Sequence, residues 1–161
     1  MSWEYQPYKT VQAIAGHKTR LNEALTAINT ANSTSTPAFS IVKAVDPNRR
    51  VLLESMPAVI VFLEGLVDRV RYLSNEEDHL LPLSMECIYP CIDFEHAQID
   101  GSNYALAMKR YLEKALRDNV LGAGVFQADI TQFGTLPFDD DDESYVAVLN
   151  ATVYVRTQQR V

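Results

Sequence analysis

The sequence has few cysteines and no long hydrophobic run. Cys87 and Cys91 are the only two cysteines, and their spacing fits neither a CxxC motif nor half of a larger metal-binding set. On a β-strand they would share a face about 13 Å apart, which is too far for a disulfide. We therefore expect two buried thiols that behave as small apolar residues. The longest apolar stretch, Ala58–Leu63, is far too short to span a bilayer, so no membrane association is expected.

The N-terminus lacks the pattern of a secretion signal. Residues 1–4 are Met-Ser-Trp-Glu, and no apolar segment follows them. We therefore expect the protein to be made and folded in a cytoplasm. Residues 1–8 are expected either to form a mobile N-terminal arm or to dock on a partner through Trp3, Tyr5 and Tyr8. The 161 residues are 47% hydrophobic and 22% charged, which predicts a single globular domain over residues 1–161.

Positive charge is also scarce. The 14 Lys and Arg residues are outnumbered by 21 Asp and Glu residues, and the formal net charge is −7. Five of the acids form one run, which consists of Asp139, Asp140, Asp141, Asp142 and Glu143. Most of the acidity is therefore local, and no basic stripe is present that would neutralise nucleic-acid phosphates. An acidic surface would instead suit a passage through which nucleic acid slides without sticking.

Common catalytic and metal-binding motifs are missing as well. The sequence contains no GxSxG, GxxxxGKS/T or GxGxxG pattern. An EF-hand loop counted from Asp139 needs Gly at position six and Glu at position twelve, but Ser144 and Asn150 stand there. Adjacent acids repel one another and usually stay solvated, so we interpret the run as part of a solvated or partner-facing loop over residues 134–144. No catalytic residue, cofactor or metal is predicted.

The three histidines, His17, His79 and His96, are scattered along the chain. His96 follows Asp93 and Glu95, a combination that could serve metal binding or acid–base chemistry. A loop histidine between acids is more often simply exposed, and we favour that interpretation. The alternative is a small α+β enzyme or ligand-binding protein with a pocket near Asp93, Glu95 and His96.

The clearest pattern present is an alternation over residues 145–157. One side of a strand would carry Tyr145, Ala147, Leu149, Ala151, Val153 and Val155, and the other Val146, Val148, Asn150, Thr152, Tyr154 and Arg156. Such alternation in a run rich in Val, Thr and Tyr is typical of a β-strand with unequal faces. At about 3.3 Å per residue the strand would reach roughly 43 Å, about twice the usual length. A small domain cannot easily cover such a strand, so we expect part of it to pair with or pack on another chain.

Other segments predict two main helices and five further strands. Apolar stripes at helical spacing predict helices over residues 11–31 and 103–118, the second capped by Asp100 or Ser102. Apolar runs predict strands over residues 39–45, 58–63, 67–74, 83–89 and 126–133. Residues 75–78 are predicted to form a charged loop. This order predicts an α+β fold in which two main helices pack on a mixed, mainly antiparallel sheet of about six strands.

An apolar patch follows the charged residues 75–78. It consists of Leu80 and Leu81, followed by Pro82 and Leu83. We expect the patch to begin the strand over residues 83–89. The alternative is that Leu80 and Leu81 dock on a partner.

The order of these segments resembles that of a known viral family. The segments are the phrase Pro57-Ala58-Val59-Ile60-Val61 after the N-terminal helix, the strand 83–89, the helix with Tyr111, Leu112, Ala115 and Leu116, and the alternating strand. Over about residues 8–157 the chain resembles the tail terminator proteins of tailed bacteriophages, and related neck and tail-completion proteins. The resemblance implies a curved sheet and a hexameric ring that caps the finished tail tube and provides the surface joined to the head. The predicted loops at 75–82 and 134–144 depart from the family pattern.

Under this resemblance the protein is a structural virion component of the tail or neck, and not an enzyme. A ring that closes uses heterologous interfaces, so each subunit would present two different patches. The implied partners are further copies of the chain, the tail tube protein and a head–tail connector or neck protein. DNA would pass through the central channel without specific binding. The candidate interface or channel residues are the run 139–143, Tyr145, Tyr154, Arg156, Leu80 and Leu81, with the run facing the channel or an adjacent ring.

Other assignments would give different assemblies. A head-completion, tail-tube or baseplate subunit is the alternative within the phage particle. A six-fold ring in negative-stain images would favour a terminator, and open-ended tubes a tube subunit. The enzyme alternative predicts a monomer or dimer whose activity is lost on His96→Ala.

Overall fold

A computed structural model describes residues 6–44, 56–72, 75–91, 93–137 and 144–158. Its elements in chain order are α1 (Tyr8–Ala15), α2 (Lys18–Asn32), β1 (Ile41–Ala44), β2 (Ala58–Leu63), β3 (Asp68–Arg71), β4 (Glu76–Pro90), α3 (Phe94–Arg117), β5 (Val125–Pro137) and β6 (Ser144–Gln158). The strands form one open sheet in the order β1-β2-β4-β6-β5, and β3 pairs with the same edge of β4 as β2 does. β1 and β2 are parallel, and the other pairs in the described chain are antiparallel. The predicted α+β fold with a mixed, mainly antiparallel sheet is confirmed.

β4 and β6 form the centre of the sheet. They pair over their whole length, from Glu76 opposite Gln158 to Pro90 opposite Ser144. The odd-numbered residues of β6 from 147 to 155 are buried, and most of its even-numbered residues are partly exposed. The predicted strand with unequal faces is therefore confirmed. Pairing with another chain is wrong for residues 145–155, because β4 and β5 occupy both edges of β6 there.

The core lies between the sheet and the helices, and tyrosines are prominent in it. Tyr89, Tyr104 and Tyr111 are among its largest fully buried side chains. The Tyr89 hydroxyl donates to the backbone carbonyl of Ala97 (2.6 Å), and the Tyr104 hydroxyl donates to that of Pro37 (2.8 Å). Burial raises the pKa of all three phenols, so they stay neutral donors. These hydrogen bonds fix α3 to the sheet and to the segment before β1.

The predicted helix over residues 11–31 is in fact two helices. α1 ends at Gly16, whose N–H bonds to the carbonyl oxygens of Gln12 (3.2 Å) and Ala13 (3.1 Å), and His17 then leaves the helical conformation. Glycine disfavours a helix interior, which explains the break. α1 starts at Tyr8, so the predicted mobile arm over residues 1–8 does not extend to that residue. The rest of the arm, residues 1–5, lies outside the described residues.

α3 begins nine residues earlier than predicted. Its cap is Asp93, whose carboxylate accepts a hydrogen bond from the backbone N–H of His96 (2.8 Å). The predicted cap at Asp100 or Ser102 is therefore wrong. The predicted end of the helix is confirmed, since Asn119 follows it in the left-handed conformation at φ 57°.

Two predicted loops are parts of strands. Residues 76–78 begin β4, because Glu77 and Asp78 have cationic partners on neighbouring strands. β5 continues through Gly134 to Pro137 and pairs with β6 over this stretch. Both β4 and β5 are therefore longer than the sequence predicted. Of the predicted acidic loop 134–144, residues 138–143 lie outside the described residues.

Candidate functional site

β5 forms one edge of the sheet. In the part of the chain that the structure describes it pairs only with β6, so its outer backbone edge has no neighbouring strand. Three large apolar side chains of β5 are exposed, namely Phe126 by 42%, Phe133 by 50% and Leu136 by 59%. Asp129 is its one charged residue. Edge strands that avoid association usually carry Lys or inward-pointing charges, so this apolar edge is suited to binding another chain.

Two register shifts divide β5. They lie between Val125 and Gln127 and between Ile130 and Gln132. Such bulges twist an edge and hinder the addition of another strand. The register is regular from residue 132 to 137. We call residues 132–137 the edge segment, because this stretch is the one best suited to pairing with a further strand.

Open grooves flank the edge segment on both faces of the sheet. A groove of about 370 Å³ lies between the segment and α3, and its lining includes Leu106 and Phe133. A second groove, of about 570 Å³, lies along residues 130–136 and includes Asn150 of β6. Nothing lies within 4 Å of a Cβ built at Gly134, so the space beside the backbone is free there. The edge segment is therefore accessible from both sides.

A row of polar side chains crosses the sheet and ends at the edge segment. Ser84 Oγ donates to Asn150 Oδ1 (2.9 Å), and Asn150 Nδ2 donates to Gln132 Oε1 (3.5 Å). Thr131 Oγ1 also donates to the backbone carbonyl of Asn150 (3.1 Å). These hydrogen bonds hold β5 in register against β6, so the edge segment is presented in a defined conformation.

Asp78 and Arg156 form an ion pair at the start of β4. Asp78 accepts hydrogen bonds from Arg156 Nε (2.9 Å) and Nη2 (3.2 Å) and from the Tyr72 hydroxyl (2.9 Å). The bonds from Arg156 hold the pKa of Asp78 below its usual value. The guanidinium also lies 4.6 Å from the ring centroid of Phe126 and 5.6 Å from that of Tyr72. Arg156 was predicted as an interface or channel residue, and in this structure it joins β4, β5 and β6 to Tyr72, the residue after β3.

Glu77 forms a second cluster on the other face of the sheet. Its side chain is 4% exposed and lies near Arg69 Nε (3.5 Å), Arg71 Nε (3.9 Å) and His79 Nε2 (2.9 Å). His79 Nδ1 is buried, with no hydrogen-bond partner among the described residues. The two arginines belong to β3, so this cluster attaches β3 to β4.

The two predicted tyrosines lie at opposite ends of β6. Tyr145 is partly buried and stacks on Tyr89, with ring centroids 6.1 Å apart. Tyr154 lies 6.1 Å from Phe126, and its hydrogen bond to Asp129 raises its pKa. The structure therefore does not bring the two tyrosines together in one site.

The predicted leucine patch is largely internal. Leu81 is fully buried in the core, and Leu80 is half-buried. β4 alternates its side chains between two faces, so these consecutive residues point in opposite directions. Of the two, only Leu80 reaches the surface. The acid run 139–143 lies outside the described residues, and its role stays a prediction.

Asp93, Glu95 and His96 lie at the start of α3. The side chains of Asp93 and His96 are 58% and 71% exposed, with Asp93 Oδ2 3.0 Å from His96 Nδ1. The backbone N–H of His96 donates to the Asp93 carboxylate and lowers its pKa. Helix capping accounts for this arrangement, so these residues show no feature of a buried catalytic group.

Sequence reasoning missed the edge segment and both ion clusters. The available signal for the edge segment was the length of the next strand, because a hairpin partner of β6 needs comparable length. For the Asp78–Arg156 pair no local signal existed, since the two residues are 78 positions apart. The Glu77 cluster joins residues within ten positions of one another, and the charges around Glu77 suggested a loop. Within the described ranges, no group of three or more His, Cys, Asp or Glu could hold a metal ion. No helix there is long and apolar enough to cross a membrane.

The chain was compared with protein-family models and with curated sequences. No protein-family model matches the chain, and no curated protein sequence matches it significantly. The function is therefore inferred from the fold, the edge segment and the resemblance in element order.

Proposed function

We propose that this protein is a structural subunit of a bacteriophage tail, a tail terminator that closes into a ring, caps the tail tube and joins it to the head or neck. The observation that carries the proposal is the edge segment of β5. It combines an unpaired backbone edge with the exposed side chains of Phe133 and Leu136. Exposed apolar edges of this kind are binding sites for other chains.

The order of elements also supports the proposal. The resemblance to tail terminators rests on an N-terminal helical part, four strands, a helix and two final strands. The described elements follow this order, with the N-terminal part divided into α1 and α2. Fold alone does not define a function, so this support is secondary to the edge segment.

A ring would put the edge segment to use in assembly. In a heterologous interface each copy offers its edge segment to a different surface of its neighbour, and the ring closes when the rotation between copies completes a circle. One end of the ring would bind the last ring of tail tube protein, and the other a connector or neck protein. DNA would pass through the channel without specific binding.

The first test is the mass and symmetry of the purified protein. Sedimentation velocity and negative-stain imaging should show a ring, six-fold under the family resemblance. A species that stays monomeric at all concentrations would overturn the proposal, and open-ended tubes would indicate a tube subunit instead.

A matched pair of variants tests the role of the edge segment. Phe133→Glu places a charge in the apolar edge and should raise the dissociation constant of the ring by at least about tenfold. Leu66→Glu is the control, because Leu66 is 92% exposed and lies in the connection between β2 and β3. Equal effects of the two variants would argue against the edge segment as an interface.

A further inference from the structure

We propose that a groove between α2 and α3 binds the acid run of a neighbouring copy, residues 139–143, so that copies associate head to tail. This inference rests on the proposed ring-forming function and identifies one of its contacts. It assigns the run to a contact between copies, where the sequence left open the channel or an adjacent ring.

The groove has the size and charge of a carboxylate site. It encloses about 60 Å³ and is lined by Arg20, Arg110, Tyr111 and Lys114, with Glu23 as the one acid in its lining. A water molecule in the liquid occupies about 30 Å³, so there is room for one carboxylate group. Three cations against two acids, Glu23 and the Asp118 that pairs with Arg20, leave a net charge of +1 at the groove.

Two of the three cations are available to a partner. Arg110 and Lys114 are exposed, and neither has an ion-pair partner among the residues that the structure describes. Arg20 is already paired, since its Nη1 lies 3.0 Å from Asp118 Oδ2. Guanidinium and ammonium groups held side by side favour an acidic ligand, because a carboxylate can accept charge-assisted hydrogen bonds from both.

The surrounding surface adds to the positive charge. Beyond the groove lining, the second half of α3 adds Lys109 and Arg117, of which Lys109 pairs with Glu113 (3.4 Å). The whole chain has a formal net charge of −7, and five negative charges lie in the acid run. The charges of the molecule are therefore segregated, and oppositely charged patches on neighbouring copies attract each other.

The groove and the end of β5 that precedes the acid run lie at opposite ends of the subunit. Gly101 of α3 lies beside Thr135 near the end of β5, and residues 118–124 join the end of α3 to the start of β5, so the two elements run antiparallel. Arg110 and Lys114 lie about 14 and 20 Å beyond Gly101 along α3. The chain leaves β5 at Pro137, which lies beyond Thr135 in the opposite direction.

This separation favours a contact between copies over a contact within one copy. Six residues connect Pro137 of β5 to Ser144 of β6, and a connection of this length reaches no more than about 12 Å from these strand ends. This reach is less than the distance to the groove. A contact between opposite ends is heterologous, and heterologous contacts produce rings or filaments. The charge distribution therefore agrees with the ring proposed above.

The experiment uses charge reversal on the full chain. One variant, Arg110→Glu/Lys114→Glu, reverses the groove. The other, Asp139→Lys/Asp140→Lys/Asp141→Lys, adds two positive charges at each of three positions, which changes the charge of the run from −5 to +1 and so reverses it. At about 0.15 M salt, where exposed charges still interact over roughly 8 Å, each variant alone should show at least a tenfold higher dissociation constant in sedimentation velocity. An equimolar mixture should assemble again, because each reversed groove then meets a reversed run. The chain that carries all five substitutions should assemble by itself.

The control is Lys9→Glu/Lys18→Glu, which makes the same charge change as the groove variant at two exposed positions outside the groove lining and should assemble as the wild type does. Thermal unfolding checks that every variant is folded. Normal assembly of both reversed variants overturns the inference, and so does a failure of both the mixture and the five-fold variant to assemble. If Phe133→Glu still abolishes the ring in that case, the proposed function stands without this contact. A monomeric wild type would instead overturn the ring itself.

Discussion

Glu77 and Asp78 are consecutive residues of β4, and their buried carboxylates bind cationic partners on opposite faces of the sheet. Glu77 lies 3.5 Å from Arg69 of β3, and Asp78 lies 2.9 Å from Arg156 of β6. Successive side chains of a strand point to opposite faces, so two adjacent acids secure β4 from both sides. This end of the sheet is therefore held together by ion pairs in addition to apolar packing.

Removing Asp78 should destabilise the fold. Asp78→Ala removes three hydrogen bonds to Arg156 and Tyr72, and we expect a loss of about 2 kcal/mol in the free energy of unfolding. Glu76→Ala is the control, because Glu76 is 33% exposed and lies 4.0 Å from Arg156, and should cost no more than about 0.5 kcal/mol. Urea unfolding measures the free energy of unfolding of both variants. Equal losses would contradict the stabilising role of the Asp78 hydrogen bonds.

The contribution of Asp78 should depend on pH. Its pKa in the folded protein is lowered from the ordinary value of 3.8, chiefly by hydrogen bonds from Arg156. A carboxyl group with a lowered folded pKa stabilises the fold fully above its unfolded pKa, and this stabilisation is lost as the pH falls through the folded pKa. The stability difference between wild type and Asp78→Ala should thus be constant near neutral pH and shrink below about pH 4. If the stability difference between wild type and Asp78→Ala is unchanged at about pH 2, the ionised Asp78 carboxylate is not its source.

A methyl group at Gly101 should not fit. A Cβ there would overlap the side chain of Thr135 and the hydroxyl of Tyr89. Gly101→Ala should therefore cost about 1–3 kcal/mol, although alanine is the better helix former. Gly134→Ala is the matched control, since nothing lies within 4 Å of its Cβ, and its effect should stay below about 1 kcal/mol. Adding Thr135→Ala to Gly101→Ala should recover part of the loss in thermal unfolding.

The two cysteines should differ in reactivity. Cys87 is fully buried and burial raises its pKa, whereas Cys91 is partly exposed beside the carbonyl of Asp93. A thiol-specific aromatic disulfide should therefore label Cys91 of the native protein about tenfold faster than Cys87, or more. Cys91→Ser should remove the fast phase, and denaturation should expose both thiols of the wild type. Two equally fast thiols in the native protein would contradict the burial of Cys87.

Sequence patterns predicted the two most regular strands correctly. The continuous apolar run of β2 is almost completely buried, and the alternation of β6 matches its two faces. Burial of one face imposes a period of two on β6, and burial of both faces makes β2 a continuous apolar run, so both patterns are visible in the sequence.

The start of α3 escaped prediction for a physical reason. Its first turns bury Ala97 and Gly101, whose small side chains allow the helix to approach the sheet closely, while Phe94 is 67% exposed. A search for large apolar residues at helical spacing therefore finds no stripe there.

The start of β4 was missed because charged residues indicate a loop unless their partners are known.

By itself the sequence determined the composition of the surfaces: an apolar β5, an acid run and a basic second half of α3. Only the tertiary structure decided that β5 is an edge, that Leu81 is in the core and that Arg156 is held by Asp78. The strand order β1-β2-β4-β6-β5 comes from pairing between segments far apart in the chain, as the 78 positions between Asp78 and Arg156 illustrate. Local patterns report which side chains avoid water, but long-range pairing alone decides which backbone edge is left without a neighbour.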